Sequence, residues 1–351
     1  MFHINRELYN YIFNELGARY EQMTRTVEFN LYNDREKNLK YLGTYFPRSF
    51  VESYKIFNNV FECFKTYHFD FDETINILDI GSGTGGPLFG LLQVLSEQFE
   101  HRQINVYSID GNQDAFNIQS KISFYNNGLL YGNKSRPAFY FRPKIFVDKN
   151  DLKSSLLSFF QQTKIDIMMS FKFINELYPT NAGIYKTMLE VAEEILSSNG
   201  ITCIVDLTHR KRDYNGRYLT DYLPVHFNKE VSEYFKSNRE TTTLYYALPT
   251  CCAKNCCNCS HGRCFTSLMM PVQHDGFQDK TKINYKFFMK RGKFFSNFYC
   301  HYLTFANSDH CGDCKTNICH CDAMSSHFYA DGDEHPLICG FENQPFSFKL
   351  W

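Results

Sequence analysis

Between residues 75 and 207, short apolar runs alternate with longer segments of helical spacing. The runs 75–80 (INILDI), 104–110 (INVYSID), 138–147 (AFYFRPKIFV), 165–171 (IDIMMSF) and 201–207 (ITCIVDL) read as buried strands. PLFGLLQVLSEQ, the stretch near DAFNIQSKISFY, DLKSSLLSFFQQ and 185–198 read as the helices between them. In the last of these, Met188, Leu189, Val191 and Ile195 share a face, and Asn199-Gly200 ends the pattern. Apolar strands alternating with helices predict an α/β fold, a parallel sheet covered on both faces. Residues 241–248 (TTTLYYAL) and 298–305 (FYCHYLTF) read as a sixth and a seventh strand, with an insert between them. Residues 1–70 read as helical. Phe50, Val51, Tyr54, Phe57, Val60, Phe61 and Phe64 recur at helical spacing, with Pro47 near the start of that helix. This aromatic stripe is expected to be core.

The first strand runs into a glycine-rich turn, Asp79-Ile80-Gly81-Ser82-Gly83-Thr84-Gly85-Gly86. Gly81, Gly83 and Gly86 satisfy G-x-G-x-x-G after a strand and before a helix, the context in which that spacing cradles a nucleotide cofactor. An ordinary glycine turn is the plain alternative. Asp110 ends the second strand, where a fixed carboxylate suits a vicinal diol.

The 351 residues carry a formal net charge of -1, unevenly spread. Residues 207–300 hold 15 Lys+Arg against 7 Asp+Glu, a balance of +8 that includes HRKR (209–212) and KRGK (290–293). Such a segment is either a solvated face or a footprint for phosphates. No run of about 18 apolar residues occurs, so no membrane span is expected. The first residues resemble neither a secretory nor a transit signal, and a cytoplasmic location is expected, with mitochondria as the alternative.

Of 14 cysteines, 12 lie beyond residue 250. One cluster is Cys251, Cys252, Cys256, Cys257, Cys259 and Cys264. The other is Cys311, Cys314, Cys319 and Cys321, flanked by His310 and His320. Cys256-x2-Cys259 and Cys311-x2-Cys314 have the spacing with which two thiolates grip one ion. Each cluster suffices for a tetrahedral zinc site; an iron–sulfur cluster is the rival, and free or paired thiols the plain reading. His261, His274 and His301 read as ordinary histidines.

The glycine turn with Asp79 two residues before it resembles motif I of the class I S-adenosylmethionine-dependent methyltransferases, and INVYSID resembles their second motif. Three further segments resemble the small-subunit ribosomal methyltransferase-like family of bacteria and mitochondria: YLGTYFPRSFVESYKIF, SFKFINELYP, and the cysteine set ALPTCCAKNCCNCSHGRCF. The chain lacks the C-P-x-D and W-C-H-F pieces frequent in that family, and its tail HCGDCKTNICHC is extra. The resemblance implies a Rossmann-like class I methyltransferase sheet (75–249), an N-terminal helical segment (1–74), and a cysteine-rich metal-binding region with the last core strand (250–351). It implies S-adenosylmethionine held by Asp79, Gly81, Ser82, Gly83, Thr84, Gly85, Asp110, Gly111, Asp148 and Ser170. Helix capping is the plain role for Asp148. Asn175 and Glu176, at the end of the fourth strand, are the implied catalytic residues, with capping of the next helix as their plain role. The resemblance favours iron–sulfur through Cys251, Cys257, Cys264 and a distant cysteine. The substrate it implies is RNA, of the ribosomal small subunit. A non-catalytic RNA-binding assembly factor and a small-molecule or protein methyltransferase are the alternatives. A dinucleotide-dependent oxidoreductase would need a hydride-transfer site, and no such constellation is visible.

Overall fold

The computed structural model describes residues 4–21, 34–66, 68–99, 101–131, 136–208, 215–216, 223–238, 241–248, 268–274, 277–292 and 348–350. After a short helix α1 (Arg6–Asn10) and a wide turn (Tyr11–Glu15), the long helix α2 spans Arg35–Thr66. Then strands and helices alternate: β1 (Thr74–Ile80), α3 (Gly86–Gln98), β2 (Gln103–Asp110), α4 (Gln113–Tyr131), β3 (Ala138–Pro143), α5 (Lys149–Phe159), β4 (Ile165–Phe171), α6 (Ile174–Leu177), α7 (Ile184–Ile195) and β5 (Leu196–Leu207). The chain continues through α8 (Leu223–Ser237), β6 (Leu244–Leu248), β7 (Leu268–His274), β8 (Phe277–Lys290) and β9 (Phe348–Leu350).

The sheet order is β3-β2-β1-β4-β5-β8-β7-β9, with β6 also paired to β8. The first five strands are mutually parallel, as the alternation predicts. β8 runs antiparallel to β5, its Ile283–Met289 half lying against Leu207–Ile201. This reversed strand falls inside what the sequence pattern presents as an insert. The seventh strand expected at 298–305 lies outside the described residues, as do HRKR and the ten cysteines of the two clusters. Between β1 and β4 the order of connection reverses, opening a crevice at the carboxyl ends of those strands.

Side chains alternate across the strands and fill one core on each face. Ile75 and Ile77 of β1, with Ile201, Cys203 and Val205 of β5, join the α2–α3 core; Leu78, Ile80 and Ile204 join the α5–α7–α8 core. The aromatic stripe is core, as expected. The Phe57 ring meets Phe287 of β8 edge-on at 5.5 Å, and Phe61 meets Phe71 and Phe99 in the same way at 5.5 and 5.4 Å. Each such pair adds about 0.5–1.5 kcal/mol beyond its burial. α2 lies so close to α3 that a Cβ on Gly90 would stand 2.2 Å from the Phe50 carbonyl oxygen.

Three boundaries differ from the sequence pattern. Pro47 sits in the interior of α2, not near its start, because the helix begins at Arg35. β3 stops at Pro143, which has no N–H for the ladder. α7 ends at Ile195, and the strand begins at Leu196; a register shift opposite Ile165–Ile167 absorbs Ser197–Gly200.

Candidate functional site

The glycine turn leaves β1 at the crevice and enters α3 at Gly86. Gly81, Gly83 and Gly85 all have positive φ, of 72°, 51° and 85°, a conformation that favours glycine. The turn is tied to β2, because the N–H groups of Gly81 and Ser82 donate to the Ile109 carbonyl. A Cβ on Gly81 would stand 2.2 Å from the Phe173 ring. The close approach that glycine permits here is therefore made by the chain's own Phe173. Ser82 and Thr84 are buried; Ser82 donates to Gln119, which donates in turn to Ser108.

Asp110 closes β2. Its carboxylate accepts the N–H of Gly83 at 2.8 Å and that of Asn112 at 2.8 Å. Burial raises its pKa above the ordinary value, against the pull of these bonds and of the Gly111 N–H. Asp79 is buried one strand away, and its Oδ2 has no hydrogen-bond partner among the described residues. Burial pushes its carboxyl well above the usual range, and the neighbouring Asp110 pushes it further. Two acids at adjacent strand ends, one without a donor, are suited to a ligand that brings positive charge and hydrogen-bond donors.

β4 supplies the other wall. Ser170 is buried and donates to the Ile80 carbonyl at 3.1 Å, joining the ends of β4 and β1. Lys172 has a left-handed φ of 59° and gives its N–H to the Val205 carbonyl. Asn175 is fully buried; its Nδ2 donates to the Lys172 carbonyl, and its Oδ1 is without a partner among the described residues. Glu176 is half-buried beside Tyr41 of α2, whose phenol is pushed well up by burial first and then by the charges of Glu176 and others.

The structure therefore gathers Asp79, Gly81–Gly85, Asp110, Gly111, Ser170, Asn175 and Glu176 around the ends of β1, β2 and β4. Asp148 stands apart in role. It is the N-cap of α5, its Oδ1 accepting from Asn150 and Asp151 at 2.8 and 2.9 Å. No cluster of three or more metal-ligating side chains occurs among the described residues, and both cysteine clusters lie outside them. Cys203 is a buried core thiol whose pKa burial raises. In the basic segment, Lys286 is buried against the Phe227 ring at 5.3 Å. Lys290 donates to the Glu193 and Leu196 carbonyls at 2.6 and 3.3 Å. These two cations serve the fold.

Local sequence reading missed what α2 contributes. Glu52, fully buried, forms an ion pair with Lys172, with Nζ 2.7 Å from Oε1. Asn38 exchanges side-chain hydrogen bonds with Asn112 at 3.4 and 3.2 Å. Buried Arg48 lies 6.0 Å from the Tyr20 ring centroid. The available signal was Arg48 and Glu52, two opposite charges four residues apart inside an otherwise aromatic stripe.

No family profile matches this chain, and no curated protein matches it. Among solved structures it is similar to a methyltransferase of Methanosarcina mazei, described as S-adenosylmethionine-dependent. The identity is 14%, covering 65% of this chain and 98% of that one, with a TM-score of 0.37. It is also similar to a candidate RNA methyltransferase of Pyrococcus horikoshii, at 9% identity over 82% and 98%, TM-score 0.36. A third is a methyltransferase candidate of Methanococcus maripaludis, also described as S-adenosylmethionine-dependent, at 13% over 78% and 98%, TM-score 0.33. Likenesses at this level carry no argument about activity. Among the described residues no helix is long and apolar enough to cross a membrane.

Proposed function

We propose that the chain is an S-adenosylmethionine-dependent methyltransferase acting on RNA. The observation that carries the reading is the pair of buried acids at the ends of β1 and β2, flanking the glycine turn at the topological switch point. The residues fit that cofactor. Asp79 Oδ2 is a buried acceptor without a donor among the described residues, and the cofactor carries an ammonium and a sulfonium. Asp110 has about four acceptor positions, and the three backbone N–H groups of Gly83, Gly111 and Asn112 leave capacity for a ribose hydroxyl. The glycine turn lies between them, with Phe173 packed against Gly81 and Phe89 and Gln119 against Gly85. The cofactor supplies a methyl group already bonded to a good leaving group, so the protein's task is alignment rather than strong acid–base chemistry. Ser170 and Lys172 fix the end of β4 against β1 and β5. The Glu52–Lys172 pair holds α2 across that end.

RNA is supported by the +8 balance of residues 207–300, although Lys286 and Lys290 belong to the fold. The phosphate contacts then fall to HRKR and its neighbours. The two cysteine clusters have the donor set of zinc or an iron–sulfur centre, and about two metal equivalents, or one cluster and one zinc, are the expected content. The test is incubation with methyl-labelled S-adenosylmethionine and total RNA, protein or small-molecule extract. Label in RNA, with binding that weakens as salt rises, is the expected result. Label in another fraction moves the substrate assignment. Cofactor binding without label in any fraction marks a non-catalytic assembly factor.

A further inference from the structure

Four large apolar residues stand exposed among the described residues, and three of them fall on β3 and the loop after it: Tyr140, Ile145 and Val147, at 47%, 50% and 78%. Single residues of this kind are ordinary; a cluster on one element marks a contact surface. β3 is the edge strand beside β2, with no strand on its outer side among the described residues. Its two faces differ. Phe139 packs on Phe89 of α3 at 6.2 Å and Phe141 on Phe116 of α4 at 5.3 Å. Tyr140 and Arg142 take the opposite face. Tyr140 stacks on Tyr107 of β2, with ring centroids 5.0 Å apart and planes 16° apart, and Phe160 meets Tyr107 edge-on at 5.3 Å. The Tyr140 ring is therefore backed on one side and held in place. The Arg142 guanidinium lies 4.9 Å from the Phe159 ring centroid, a contact that leaves its N–H edge able to donate. Residues 136–147 contain Arg136, Arg142 and Lys144 and no acid; Lys144 is committed to Asp151 at 2.7 Å. A charge on an edge strand is ordinary protection against strand pairing. An exposed, backed aromatic beside it has no such explanation. The strip ends at the crevice, because the Lys144 N–H donates to the Asp110 carbonyl at 2.8 Å.

We propose that this face of β3 is a binding surface for single-stranded RNA, with a base stacked on Tyr140 and a phosphate held by Arg142. The inference rests on the RNA part of the proposed function, and it names a surface for that RNA and its strandedness. An aromatic ring flanked by cations matches unpaired nucleic acid, whose bases offer a π-face to the ring and whose phosphates accept from the guanidinium. A duplex keeps its bases stacked on one another and gives the ring no partner. A second copy of this chain, paired through the same edge, would set these cations against their own kind. RNA lying along β3 runs toward the end of β2 and so toward the crevice.

The test uses the full chain and a short labelled oligouridylate, followed by fluorescence anisotropy over a salt series. An RNA duplex of equal length is titrated beside it, and S-adenosylhomocysteine binding is measured by calorimetry. Tyr140→Ala should lose about tenfold in affinity for the single strand, and Tyr140→Phe, which keeps the ring, less than about twofold. The loss should be absent for the duplex. Arg142→Gln should flatten the slope of log affinity against log salt by about 0.7, the share of one single-strand phosphate. All three variants should bind S-adenosylhomocysteine as the wild type does. If the wild type binds RNA, and Tyr140→Ala and Arg142→Gln match it in affinity and salt slope, the inference is overturned and the RNA reading stands with its contacts elsewhere. An equal loss of S-adenosylhomocysteine binding in the variants also overturns it. So does a dimer of the wild type that Tyr140→Ala abolishes with RNA affinity unchanged. If the wild type binds S-adenosylhomocysteine but no RNA, the RNA reading fails and the inference with it, while the methyltransferase reading stands.

Discussion

At the junction of α7, α8, β6 and β8, Glu193 accepts the Tyr234 hydroxyl at 2.7 Å, the Thr242 hydroxyl at 2.6 Å and the N–H groups of Thr243 and Leu244 at 2.8 and 3.2 Å. The Thr243 hydroxyl donates to it as well. Nearby, Glu230 accepts three backbone N–H groups at the head of α7, from Gly183, Tyr185 and Lys186. At the ends of β1 and β2 the chain brings a second set of acids indoors, yet Asp79 Oδ2 receives no donor among the described residues. Glu193 and Asp79 differ in their titration, whereas Glu230, like Asp79, is raised by burial. Burial pushes Glu193 up, but its hydrogen bonds outweigh it and leave the carboxyl below the ordinary value. Burial pushes Asp79 up, and Asp110 adds to the push. Glu193 and Glu230 are supplied with donors, as is Asp110 at the switch point; Asp79 Oδ2 receives none among the described residues, and the proposed cofactor reading rests on that difference.

The comparison is tested most severely at Glu193. Glu193→Ala strips one acceptor from five donors and should destabilise the protein by about 3 kcal/mol in denaturant unfolding. The loss should shrink as pH falls below the ordinary glutamate range, because a depressed folded pKa stabilises only above it. Asp110→Ala should weaken S-adenosylmethionine binding by roughly 1.5–3 kcal/mol, measured by calorimetry. Glu230→Ala should cost about 1–2 kcal/mol of stability, the worth of a lost N-cap, and leave cofactor affinity unchanged. Asp79→Asn should do the reverse, with a gain of about 1 kcal/mol in the free protein at neutral pH and weaker cofactor binding. The sign follows from the raised folded pKa. The folded state holds the proton more tightly, so the wild type loses stability as pH climbs above the ordinary aspartate range. The gain from Asp79→Asn should therefore vanish in acid. An Asp79→Asn variant that is less stable than wild type at neutral pH would remove the contrast between the two regions.

The parts of the site that sequence alone made legible are local ones. Asp79, the glycines and Asp110 sit at the ends of apolar runs, and a strand end fixes where its last residues lie. What stayed hidden depends on contacts between distant segments. Glu52 and Lys172 are separated by 120 positions, and no periodicity joins them. β8 lies inside the expected insert although Ile283, Tyr285, Phe287 and Met289 alternate as a strand should; the polar residues between them, Asn284 and Lys286, are buried in the fold. Pro47 misled as well. Proline near a helix start is the ordinary reading, whereas the helix that contains it begins twelve residues earlier, at Arg35.

The central claim is that the buried Asp79 awaits a cationic cofactor, and proton counting tests it most directly. S-adenosylmethionine is titrated into the full chain by calorimetry at mildly acidic pH, in buffers of different ionisation enthalpy. A cation bound beside a carboxyl held above its usual pKa drives the proton off it. The account predicts that binding releases protons and that Asp79→Asn abolishes most of the release. Tight binding with no proton release, or with the same release in Asp79→Asn, would contradict it, as would the absence of binding.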